Sequence, residues 1–172
     1  MKVRSFPLVV GAILTVFVGT LVVIRINQTP EPPRPGIEQI DHGREHVESQ
    51  EYGGDEPPTS GNHANPVAWG AYATEIRDDQ AIHNMEHGGI YISYRPDLPK
   101  EQIEKLKSLL FAPFTDPKFQ PKKIILAPRQ ANKSLVELSS WRRSESLTSF
   151  DKEKIQDYVS RNLGKSPEPL AS

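Results

Sequence analysis

Residues 81–94 read AIHNMEHGGIYISY, and how this stretch divides between helix and strand decides both the fold and the chemistry of the chain. If His83 to His87 were strand, alternation would put His83, Met85 and His87 on one face, a set that suits copper. If they are helix, His83, Glu86 and His87 share a face, a set that suits zinc. The reading preferred here is a short helix that Asp79 caps and Gly88 stops, with Ile82 and Met85 toward the core. From Gly89 to Tyr94 the pattern changes to alternation, with Ile90, Ile92 and Tyr94 opposite Tyr91 and Ser93, which predicts a half-buried strand ended by Pro96.

Downstream, Pro99 to Phe111 carries Ile103, Leu106, Leu109 and Leu110 as one apolar stripe and predicts a helix capped by Asp97. Lys123 to Leu126 and Leu135 to Trp141 read as two further strands. Asp151 to Asn162 reads as the last helix, burying Ile155, Tyr158 and Val159 and stopping at Gly164. The order strand, helix, strand, strand, helix predicts a right-handed crossover followed by a hairpin. With both helices on one face, that is a small α+β two-layer sandwich. Upstream, residues 37–72 are rich in Gly, Pro, Asn and Ser. The run Glu56-Pro57-Pro58-Thr59-Ser60-Gly61-Asn62-His63 must be loop, since adjacent prolines exclude helix. A long ordered N-terminal loop region is therefore expected, and loops of that kind are often functional.

The start of the chain has a different character. Phe6 to Ile24 is nineteen uncharged, mostly apolar residues, preceded by Lys2 and Arg4 and followed by Arg25. That length spans a bilayer as a helix, and the preceding positive charge favours a cytoplasmic N-terminus with the rest of the chain outside. A cleaved secretory signal is the rival reading, but no convincing small-residue cleavage site follows. The expected organisation is a cytoplasmic tip (1–5), a transmembrane signal-anchor (6–25), a Pro-rich linker (26–36), an extracytoplasmic domain (37–165) and a disordered tail (166–172).

Among the 172 residues there is no cysteine, which excludes disulfides, thiolate metal sites and a cysteine nucleophile. A net charge of -1 and the lack of a phosphate-binding glycine motif argue against nucleic acid and nucleotide partners, leaving the membrane as the expected partner. Protein partners are not indicated. Five histidines, at 42, 46, 63, 83 and 87, are confined to residues 42–87, and none follows. His83 to His87 also matches H-x-x-E-H, in which two histidines bind zinc and the glutamate activates water. Ser60 as a nucleophile lacks the strand-to-helix elbow that such a serine needs.

Gly43-Arg44-Glu45-His46-Val47, Pro57-Pro58-Thr59-Ser60-Gly61-Asn62-His63, Gly70-Ala71-Tyr72 and His83-Asn84-Met85-Glu86-His87-Gly88 together resemble the ordered motifs of the bacterial family known as domain of unknown function 3105, over about residues 40–165. The resemblance implies a membrane-anchored or exported protein, implies no activity, and places His46, His63, His83, Glu86 and His87 at motif positions. His42 lies outside the pattern, Tyr52 fits it, and Met85 stands where a leucine is common.

These observations predict a membrane-anchored extracytoplasmic module that binds zinc or copper through His63, His83 and His87, with His46 as a fourth ligand and Glu86, Met85 and Tyr52 behind them. Two alternatives stay open. One is a non-enzymatic interaction domain with a histidine-rich polar core, and the other is a metal-dependent hydrolase with Glu86 as general base.

Overall fold

The computed structural model of the chain describes residues 32–111 and 123–171. The expected transmembrane segment and most of the linker lie outside the described residues, among which no helix is long and apolar enough to cross a membrane. The elements in order are β1 (Ile37–Glu38), β2 (Gly70–Ala71), α1 (Asp78–Glu86), β3 (Ile90–Tyr94), α2 (Lys100–Phe111), β4 (Ile124–Pro128), β5 (Val136–Ser140), β6 (Arg143–Leu147) and α3 (Lys152–Asn162). The fold is mixed α+β, as expected, around one six-stranded sheet of order β1-β6-β5-β3-β4-β2.

Every residue of β3 is buried, so both its faces and both its edges need partners. It pairs in parallel with β4, Ile92 opposite Leu126, and antiparallel with β5, Ile92 opposite Leu138. This corrects the expected topology, because the chain returns from β4 to the far edge of β3. The hairpin is β5–β6, turning at Arg142, which adopts a φ of 55°.

The sheet is also covered on both faces. On one, Ile90, Ile92, Ile124, Leu126, Val136 and Leu138 pack with Leu106, Leu109 and Leu110 of α2 and Ile155, Tyr158 and Val159 of α3. On the other, Tyr91, Ile125 and Ala127 meet Ala81, Ile82 and Met85 of α1, together with Trp141 and the partly buried Tyr52, Val67 and Trp69. Two layers were expected. The third consists of α1 and the long loop, which cover the apolar surface that Tyr91 and Ile125 present.

Helix α1 differs from expectation at its start. Arg77 is its N-cap, with no side-chain cap bond, and Asp78 and Asp79 occupy the first turn, where carboxylates favour the positive end of the helix dipole. Asp79 is buried, accepts the Gln50 backbone N–H at 2.8 Å, and is clasped by Arg77. Asp97, the expected cap of α2, is held instead by Arg95. Helix α3 is capped by Asp151, which accepts from the Lys154 N–H at 3.1 Å.

Both ends of the folded unit extend past the expected limits. Arg143 donates to the Arg34 and Gly36 carbonyls at 3.0 and 2.7 Å, so the compact unit begins at Arg34. Residues 166–171, expected to be a disordered tail, dock against the end of α1. The Glu168 N–H donates to the Glu86 carbonyl at 3.1 Å, and the Lys123 ammonium bonds the carbonyls of His87, Pro169 and Ala171.

The orientation of α1 depends on a buried ion pair. Arg129 at the end of β4 holds Asp78 at 2.8 and 3.0 Å and also donates to the Gly54 carbonyl. Removing one member leaves the other buried and uncompensated. Asp78→Ala is therefore expected to lower stability by about 3 kcal/mol in urea unfolding; a loss below about 1 kcal/mol would show the pair to be screened like a surface one.

Candidate metal centre

The long loop brings its histidines to α1 by making a short parallel ladder with itself. Val47 donates to His63 O, His63 to Glu45 O and Gly61 to Gly43 O, each at 2.9 Å, so His46 and His63 face each other across a β-bridge. Tyr52 stabilises the second rung by donating its hydroxyl to the Asn62 carbonyl at 2.8 Å. Gly61, at φ +131°, packs against the Tyr52 ring where a Cβ would collide. Ser60 is wholly buried, accepts the His42 N–H and donates to Ile40 O, which makes it a loop fastener with no nucleophilic role.

From the other side, α1 presents His83, Glu86 and His87. Asn84 fastens helix and loop together, its side-chain amide bonding both the N–H and the carbonyl of Val67 at 3.0 and 2.9 Å. The imidazoles then meet edge to face, with ring centres 4.5 Å apart for His46 and His63, 4.9 Å for His63 and His83, and 4.6 Å for His83 and His87.

Tautomers follow from the backbone contacts. His63 Nδ1 lies 2.8 Å from Gly61 O, and His83 Nδ1 lies 2.8 Å from Ala64 O. A carbonyl only accepts, so both Nδ1 atoms carry the proton and both Nε2 atoms point inward, the arrangement by which outer partners orient metal-binding histidines. Burial, outweighing the opposing effect of the Ala64 carbonyl, lowers the pKa of His83, with His87, His63 and His46 adding to the depression. The shift favours the neutral imidazole, the form that can ligate.

Glu86 completes the cluster. Its carboxylate is 1% exposed, with Oε2 3.0 Å from His63 Nε2 and 3.9 Å from His46 Nε2. Neither Glu86 Oε2 nor His63 Nε2 has a hydrogen-bond partner, and both are inaccessible to solvent. Two lone-pair atoms at that separation need a cation between them, either a proton or a metal. One ligand atom from each of His46, His63, His83 and Glu86 lies within 4.8 Å of all the others. Bonds of about 2.0–2.1 Å would set tetrahedral ligands roughly 3.4 Å from one another, a spacing that lies between the 3.0 Å of the His63–Glu86 pair and the 3.9 Å of the His46–Glu86 pair.

The expected residues thus divide. His46, His63 and His83 converge, and Glu86, expected behind the ligands, stands among them. His87 lies to one side, its Nε2 3.2 Å from His83 Nε2 and 4.0 Å from Glu168 Oε2. Met85 is fully buried in the core under the sheet, and Tyr52 acts through the loop backbone. Two residues escaped the sequence reading. Arg44 reaches Glu86 at 3.6 Å and Glu168 at 3.4 Å. It stands in a motif already singled out, whereas Glu168 lies in a polar stretch with no signal.

Residues 44–172 match the family described as Protein of unknown function (DUF3105), and the chain belongs to that family. The match includes every member of the cluster and the docked tail. No curated protein and no solved structure matches the chain.

The depressed His83 pKa sets a pH dependence. The unfolded chain, with a histidine pKa of about 6.5, binds a proton that the folded metal-free chain resists, so stability is full above that pH and declines as pH falls below it. Thermal unfolding of the metal-free protein should show a falling midpoint from pH 6.5 toward 5, with a shallower slope in His83→Gln; equal slopes would remove His83 as the cause.

Proposed function

We propose that the protein is a membrane-anchored extracytoplasmic metal-binding protein that holds a divalent transition ion, zinc or copper, with His46, His63, His83 and Glu86. The observation that carries this reading is the buried, unpartnered pair of His63 Nε2 and Glu86 Oε2 at the focus of two further imidazoles. Three imidazoles and a carboxylate form a borderline donor set suited to divalent ions, and with Met85 in the core no thioether among the described residues is at hand to favour monovalent copper. The anchor and the outward orientation rest on the apolar run from Phe6 to Ile24 and the charges before it.

The interaction-domain reading has one observation in its favour, since a proton between His63 and Glu86 would make a buried ion pair at the same 3.0 Å. Hydrolysis with Glu86 as general base has less support, because that carboxylate is 1% exposed, with Oε2 against imidazoles and Oε1 toward Arg44.

Calorimetric titration of the full chain in detergent with zinc sulfate and copper sulfate separates these readings. Saturable binding at pH 7 is expected, lost in a His63→Ala, His83→Ala double variant, and an absence of saturable binding would leave the polar-core reading. Because protons compete for the same nitrogens, affinity should fall steeply between pH 7 and 5, by up to roughly a thousandfold per unit once three imidazoles are protonated. A flat profile over that range would rule out histidine ligation.

A further inference from the structure

We propose that the cluster is built for two ions, with Glu86 as the bridging carboxylate; this inference rests on the metal-binding reading above. The donors separate into two sets that share one residue. His46, His63, His83 and Glu86 form the first, and Glu86, His87 and Glu168 form the second, each with its ligand atoms within 4.8 Å of one another. Four donors saturate a tetrahedral ion, which leaves His87 and Glu168 beyond its needs.

Two further observations point the same way. Glu86 Oε2 is buried, unpartnered and turned to the first set, while Oε1 is the oxygen that approaches Arg44 beside Glu168. The carboxylate thus offers one oxygen to each side. His83 Nε2, fixed as a lone pair by the Ala64 carbonyl, accepts the His87 Nε2–H at 3.2 Å, so one proton links adjacent imidazoles of the two sets at the place where two ions would replace it.

Arg44 stands where a second cation would be felt most. Its guanidinium lies 3.6 Å from Glu86 Oε1 and 3.4 Å from Glu168 Oε1, and its side chain is 54% exposed, free to swing into solvent. Without a second ion, Arg44 neutralises the two carboxylates. The second ion displaces it, so the two bind in order, the enclosed set first and the outer set more weakly. With only three protein donors, the outer ion keeps positions for water or an anionic ligand.

The test is titration of the full chain in detergent with zinc sulfate, read as stoichiometry and as two affinities, beside Glu168→Gln and Arg44→Ala. Two ions per chain are expected, the second lost in Glu168→Gln with the first intact and tightened about tenfold or more in Arg44→Ala. A second step that Arg44→Ala leaves unchanged or weakens overturns the inference. One ion per chain, unaffected by Glu168→Gln, overturns it and leaves the single-ion reading standing; no bound ion removes both. Copper supplies the second measurement. Bridged ions about 3.5–4 Å apart couple magnetically, so the integrated spin resonance signal should fall well below the copper bound. Two coppers with full, uncoupled intensity would show that Glu86 does not bridge.

Discussion

The exit from α1 into β3 is the constraint on which the rest of the structure depends. Gly88, at φ +85°, closes the helix by donating to Met85 O, and Gly89 donates to Asn84 O while lying under the Trp69 ring, where a Cβ would collide. Only a chain without side chains at these positions can leave a nine-residue helix and enter a fully buried strand at once. That tight exit fixes the rotation of α1. Ala81, Ile82 and Met85 must face the sheet, so His83, Glu86 and His87 are committed to the side where the loop arrives.

What the sequence revealed follows from where local pattern and tertiary demand coincide. The stripe from Ile103 to Leu110, the alternation from Ile90 to Tyr94 and the break at Gly88-Gly89 each express one periodicity, and α2, β3 and α1 lie where they indicate. Strand β6, Arg143 to Leu147, reads RSESL and fills its place mainly by backbone pairing with β5, so it left no apolar signature. Strands β1 and β2 are two residues each, too short for any period. The sheet order was not legible either, because β4 reads as an apolar run whether its successor lies beside it or beyond β3.

The site was legible to the extent that it sits on regular structure. His83, Glu86 and His87 follow from helical spacing, but the prominence of Glu86 over His87 does not. It arises from where the loop carrying His63 meets the helix, held there by the Asn84 bonds to Val67 and the Tyr52 bond to Asn62. Glu168 could not have been found by pattern at all. It is placed by backbone contacts, Glu168 N–H to Glu86 O and Gly164 N–H to Gly88 O, which any residue types can make.

Burial of Glu86 against His63 has an energetic consequence that bears on why such a cluster persists. A carboxylate enclosed at 1% exposure, with Oε2 unpartnered, has been taken out of water without full compensation, and a neutral imidazole whose Nδ1 is already committed cannot supply the missing donor. A hydrophobic pair of similar volume would fill the same space at lower cost. A proton or another cation that binds the folded state and not the unfolded one offsets that cost, and the gain grows as the logarithm of its concentration over its dissociation constant. The Asn84 bonds to Val67 and the Tyr52 bond to Asn62 already hold loop and helix so that four donors face inward, which leaves little further ordering for whatever cation, proton or otherwise, lies between them.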